Sequence, residues 1–223
     1  MARFTKLEVL QTAAEQGMVS LFYHPDIELG KKVLKSCYKG GARILEFTNR
    51  GDYAHEVFAE LNKYCEKELP EMILGVGSIP DAGTAALYIQ LGANFIVTPS
   101  LREDVVKTCN RRKIPCMPGC GSLTEIGQAE ELGCDVVKLF PGSNYGADFV
   151  KSIKAPQPWT SIMPTGGVTP ERQNLQQWFG AGVICVGMGS QMISKDILAN
   201  GNFEKLENRV RDTLFLIEVL RNK

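Results

Sequence analysis

Eight short apolar runs recur along this chain, with helix-length amphipathic segments between them. The runs are MVSLFY (18–23), ARILEFT (42–48), MILGVGS (72–78), NFIVTPS (94–100), IPCMPG (114–119), DVVKLFPG (135–142), SIMPTGG (161–167) and VICVGMG (183–189). Most are β-branched and continuously apolar rather than alternating, which suits strands of a parallel sheet covered on both faces. The segments between them repeat apolar residues at helical spacing. DIELGKKVLKSCYKGG places Ile27, Val33, Leu34 and Cys37 on one side, and YAHEVFAELNKYCEKE does so with Val57, Phe58, Leu61 and Tyr64. LGANFIV and LGCDVVK repeat one arrangement, a helix stopped at Gly92 or Gly133 and then a buried strand. Glycine adopts the left-handed conformation that such a stop requires.

Eight strand–helix units without a linker between halves predict a single (β/α)8 TIM barrel over residues 1–223, opened by a short helix within 1–17. The 223 residues are near the lower end for that fold, and at 44% hydrophobic they can fill one good core. An open doubly wound sheet is the rival, but the first strand is not followed by the G-x-G-x-x-G turn of a dinucleotide site.

Composition excludes several function classes. Lys+Arg and Asp+Glu both number 25, so no basic surplus attracts nucleic acid. No apolar run reaches the roughly 20 residues of a membrane span, and the amino terminus lacks the apolar region of a signal peptide. A cytoplasmic location is the default expectation. The seven cysteines are scattered and odd in number, against a disulfide framework. CMPGC, at 116–120, has no histidine nearby and reads as packing, and no metal site is expected from His24 and His55. HPD, at 24–26, reads as a turn and helix start.

In a TIM barrel the active site gathers at the carboxyl ends of the strands, so the polar residues there are the candidates. Lys138 lies inside the apolar run VVKLFP. An ammonium is costly to bury, and desolvation favours the neutral amine that attacks carbonyl carbon. Glu46, in RILEFTNR, is a second ionisable group in an apolar strand and could move protons beside an amine. Arg50, four residues on, has the geometry to hold a carboxylate in bidentate fashion. The last two strands end in PTGGV and VGMGS, where Gly166, Gly167, Gly189 and Ser190 suit phosphate binding through backbone N–H groups. Each group also has a bland explanation: a salt bridge, a solvated loop arginine or an ordinary tight turn.

LEFTNR, ILGVGS, VVKLFPGS, PTGGV and VGMGS occur in this order. Together they resemble the 2-keto-3-deoxy-6-phosphogluconate (KDPG) and 4-hydroxy-2-oxoglutarate (KHG) aldolase family, roughly from Met18 to Ser190. The resemblance implies a class I aldolase that cleaves a KDPG-type sugar acid to pyruvate and glyceraldehyde 3-phosphate. It also implies Lys138 as the Schiff-base lysine, Glu46 as the proton shuttle, and Arg50 with the Ser78 hydroxyl on the keto-acid carboxylate. Thr165 is assigned to that same end, and the glycine turns to the phosphate. A homotrimer, no metal and no cofactor beyond the covalent lysine imine are further implications. Ser78, where threonine is more frequent in the family, and Gly51, likewise, leave the substrate's identity open. A phosphosugar isomerase or epimerase, with Glu46 as base and no imine, and a non-catalytic keto-acid binder are the rival readings.

Overall fold

A computed structural model describes residues 2–222. Helix α1 (Lys6–Gln16) leads into β1 (Met18–Phe22), α2 (Ile27–Lys39), β2 (Ile44–Thr48), α3 (Ala54–Glu68), β3 (Ile73–Gly77) and α4 (Ala82–Gln90). The chain continues through β4 (Ile96–Val97), α5 (Glu103–Arg111), β5 (Cys116–Met117), β6 (Gly119–Cys120), α6 (Leu123–Glu131), β7 (Val137–Leu139) and α7 (Gly142–Lys154). It ends with β8 (Ile162–Pro164), α8 (Arg172–Gly180), β9 (Val186–Met188), α9 (Lys195–Asn200) and α10 (Phe203–Arg221). Several helices start where the sequence supplies a capping oxygen. The Asp26, Asp81 and Ser122 side chains accept the N–H groups of Leu29, Thr84 and Glu125, and Thr5 forms a reciprocal capping box with Glu8. Each such cap contributes about 1 kcal/mol. The expected glycine stops are left-handed, with φ of 96° at Gly92 and 87° at Gly133.

The strands are parallel, but they do not form the closed eight-stranded barrel that the repeat predicts. Pairing divides them into a six-stranded half-barrel sheet, ordered β5-β4-β3-β2-β1-β9, and a three-stranded sheet, ordered β6-β7-β8. Two prolines mark the seams. Pro118 splits the fifth apolar run into β5, which pairs with β4, and β6, which pairs with β7. Its carbonyl accepts the Lys138 N–H at 2.8 Å, but proline has no N–H to return. At the other seam, Thr165 N–H donates to Leu139, on the β7 side, so position 164 faces β9. Proline there leaves the contact with the β9 segment to an Ile184 N–H bond to Ile162 O and an isolated Thr165–Gly187 bridge.

Alternation along the strands sorts their side chains into two clusters. Leu45, Phe47, Leu74, Val76, Leu139 and Met188 face the helices, among Val33, Leu34, Phe58 and Leu61. Val19, Ile44, Ile73, Phe95, Val97, Met117, Val136, Met163 and Cys185 form a second cluster shared by both sheets, and Val9 and Ala13 of α1 close its amino-terminal end. Burying one such side chain contributes about 1.5–3 kcal/mol. One inward step further along, after Ile44, Val136, Met163 and Cys185, come Glu46, Lys138, Thr165 and Gly187. The apolar inner layer is thus followed, toward the carboxyl ends of the strands, by a polar one.

Candidate active site

That polar layer contains the residues the sequence singles out. Glu46 is 1% exposed and Lys138 is 6% exposed. Glu46 sits in β2 beside Leu21 and Gly75, and Lys138 in β7 between Gly119 and Met163. Burial pushes the Glu46 carboxyl above its ordinary value, and the nearby charges of Lys138 and then Arg50 pull the other way. Oε2 of Glu46 has no hydrogen-bond partner among the described residues. The Lys138 Nζ lies 4.8 Å from the centre of the Phe140 ring, a cation–π contact. A buried carboxyl and a buried amine within each other's field, neither in a closed ion pair among the described residues, can exchange a proton during chemistry.

The remaining candidates surround this pair. Arg50 is exposed and is the second residue past β2. Ser78, just past β3, is half-buried and left-handed (φ 60°), a conformation uncommon for residues other than glycine and frequent at functional sites. Thr165 is 6% exposed, and its Oγ1 has no hydrogen-bond partner among the described residues. The Gly166–Gly167 turn lies against the start of α7, where Gly142 N–H donates to Thr165 O at 2.8 Å. Gly189 packs on Leu21 at the end of β1, and Ser190 is exposed. Glu46 therefore lies within the field of Lys138 and Arg50, and the two glycine turns follow strands joined by the Thr165–Gly187 bridge. Ser78 has no direct contact with the others among the described hydrogen bonds. His24 is a turn residue, its Nδ1 accepting the Asp26 N–H at 3.1 Å.

Three glycines at the strand ends, to which the sequence assigns no role, are fixed by their neighbours. A Cβ on Gly77 would overlap the Glu46 carboxylate, one on Gly187 would overlap Thr165 Oγ1, and one on Gly119 would overlap the Pro99 carbonyl. None of the three has a left-handed backbone, so space, not conformation, requires glycine there. The signal was present as glycine on inward-facing positions of strands that carry, or adjoin, a polar inward residue. Gly77→Ala is therefore expected to displace the Glu46 carboxylate. A misplacement of about 1 Å costs roughly 100-fold in turnover, so steady-state kinetics should show kcat falling by about that factor. An unchanged kcat would mean that the carboxylate position is not critical.

A parallel α/β protein with a buried amine and, in the same layer at its strand ends, a carboxyl unpartnered among the described residues has the layout of an enzyme. The model of the KDPG and KHG aldolase family matches residues 11–209. The 2-dehydro-3-deoxy-phosphogluconate aldolase of Treponema pallidum is 30% identical over 87% of this chain and 90% of its own. The crystal structure of the 4-hydroxy-2-oxoglutarate/2-dehydro-3-deoxyphosphogluconate aldolase from TTHB1 superposes with a TM-score of 0.80 at 26% identity, covering 93% of this chain and 98% of that one. The KDPG aldolase of Zymomonas mobilis ZM4, solved with 3-phosphoglycerate, gives 0.76 at 25% identity over 91% and 94%. The chain belongs to the KDPG and KHG aldolase family, and it is an aldolase, a carbon–carbon lyase.

Proposed function

We propose that the chain is a Schiff-base aldolase in which Lys138 is the nucleophile and Glu46 the proton shuttle. The observation that carries this is the pair itself, a buried lysine and a buried carboxyl of raised pKa in one layer. Neutral Lys138 Nζ attacks the C2 ketone of a 2-keto acid. Glu46 protonates the departing hydroxyl, and water leaves to give the iminium. The Glu46 carboxylate then accepts the C4-hydroxyl proton, the C3–C4 bond breaks, and its electron pair moves into the iminium. An aldehyde departs and leaves a pyruvate enamine. Protonation at C3 and attack of water on the regenerated iminium release pyruvate and restore the amine. No step calls on a cofactor.

Arg50 is assigned to the keto-acid carboxylate, with the Ser78 and Thr165 hydroxyls at the same end. The unpartnered Thr165 Oγ1 supports that reading. The turns at Gly166–Gly167 and Gly189–Ser190 are assigned to the phosphate of a KDPG-type substrate, whose remote binding energy would hold the reacting carbons in register. The Zymomonas aldolase was solved with a phosphorylated acid, which supports a phosphorylated substrate class. Cleavage would give pyruvate and glyceraldehyde 3-phosphate, and unphosphorylated KHG would give pyruvate and glyoxylate by the same lysine chemistry. Incubation with pyruvate and borohydride should leave a reduced pyruvyl adduct on Lys138 in peptide mass spectra. An adduct elsewhere, or none, would refute the assignment. A homotrimer in the cytoplasm belongs to the same proposal, and a monomeric mass in sedimentation would remove the trimer.

A further inference from the structure

Arg50 belongs to a short segment between β2 and α3 that is held by hydrogen bonds at its start. The Asn49 N–H donates to Gly77 O at 2.8 Å, and the Arg50 N–H to Thr48 O at 2.9 Å. Asn49 Oδ1 accepts the Tyr88 hydroxyl at 2.8 Å, a bond that spans 39 residues. Gly51 follows with φ of 115°, and a Cβ there would meet the Tyr23 hydroxyl at 2.6 Å, so the segment passes directly beneath that side chain. Tyr23 in turn packs on Phe47, with ring centres 5.6 Å apart.

Tyr88 lies on α4 and is 1% exposed, its ring edge-on to Phe58 at 5.2 Å. Phenylalanine would satisfy that packing equally well. The hydroxyl donates instead to Asn49, the residue immediately before Arg50. Burial pushes the Tyr88 hydroxyl up to about 12, so it stays protonated and remains a donor across the working pH range. The Arg50 guanidinium makes no ion pair among the described residues. No neighbouring carboxylate among the described residues fixes its aim, which leaves the backbone as the point from which it is placed.

We infer that the Tyr88–Asn49 hydrogen bond is a clamp that fixes the backbone carrying Arg50 and so sets the affinity for the substrate carboxylate. Tyr88 is then a positioning residue for the lyase reaction, acting through Asn49 on Arg50. This rests on the reading of Arg50 as the carboxylate ligand.

Pyruvate carries that carboxylate whatever the aldehyde half of the substrate, so pyruvate-dependent borohydride trapping of the whole chain is the assay. It separates the half-saturating pyruvate concentration from the limiting rate of trapping. A net hydrogen bond corresponds to a roughly 3- to 10-fold change in affinity. Tyr88→Phe should raise the half-saturating concentration by about that factor and leave the limiting rate within about twofold. Asn49→Ala should do the same, and the pair together should cost no more than either alone. Arg50→Gln should raise half-saturation further and cancel the effect of Tyr88→Phe.

A merely structural hydroxyl would lower the melting temperature without moving half-saturation, and that result overturns the clamp. So do additive effects of Tyr88→Phe and Arg50→Gln. If Arg50→Gln itself leaves half-saturation unchanged, the carboxylate reading fails and the clamp fails with it. If Arg50→Gln raises half-saturation and Tyr88→Phe is silent, only the clamp is lost.

Discussion

Lys138→Ala is expected to abolish carbon–carbon cleavage while leaving the far-ultraviolet circular dichroism of the chain unchanged. In the proposed cycle every covalent step passes through Nζ, so no other group can supply the electron sink that allows C3–C4 scission. Loss of a covalent nucleophile should lower kcat by roughly 10,000-fold or more. The fold should tolerate the change. Lys138 is 6% exposed and makes no ion pair among the described residues, so alanine breaks no closed salt bridge. Lys138→Arg keeps the charge and much of the volume but cannot present a neutral amine, so it should be equally inactive. A pyruvate-release assay decides the matter. Activity within about tenfold of the parent in either variant would overturn Schiff-base catalysis at this position.

Much of this site was legible because strand periodicity and chemistry point to the same residues. Lys138 and Glu46 are charged residues in apolar runs, and their inward direction follows from the alternation of Val136 with Lys138 and of Ile44 with Glu46. Gly92 and Gly133 marked helix stops correctly for the same reason, since each must turn left-handed. The division into two sheets was harder to foresee. Pro118 and Pro164 stand in plain view, but an apolar run gives no sign of which neighbour each half will pair with. Eight runs therefore suggested one closed ladder, where the prolines leave six strands and three. Contacts across long sequence separations were hidden as well. Nothing local links Asn49 to Tyr88, or Gly77 to the carboxylate of Glu46 on the adjacent strand.

Glu46→Gln should separate catalysis from stability in opposite directions. Glutamine keeps the shape of the side chain but can neither give up nor accept the shuttled proton, so kcat should fall by roughly 100- to 10,000-fold. Stability should move the other way at neutral pH. Burial is the largest influence on Glu46 and raises its pKa in the folded chain, outweighing the opposing charges of Lys138 and Arg50. The folded state therefore binds this proton more tightly than the unfolded state, and the slope of unfolding free energy with pH is negative between the two pKa values. The contribution of Glu46 to stability is fully present below its unfolded pKa, about 4.3. It is lost as pH rises through the folded value. Glutamine resembles the protonated carboxyl and does not titrate, so the variant escapes that loss. Its melting temperature should exceed the parent's at neutral pH, and the two should converge below pH ~4. Equal melting temperatures across that range would mean that the carboxyl is not desolvated in the way its burial indicates. A more stable protein with a defective proton shuttle would show why a buried carboxyl is retained where a neutral amide would fold better.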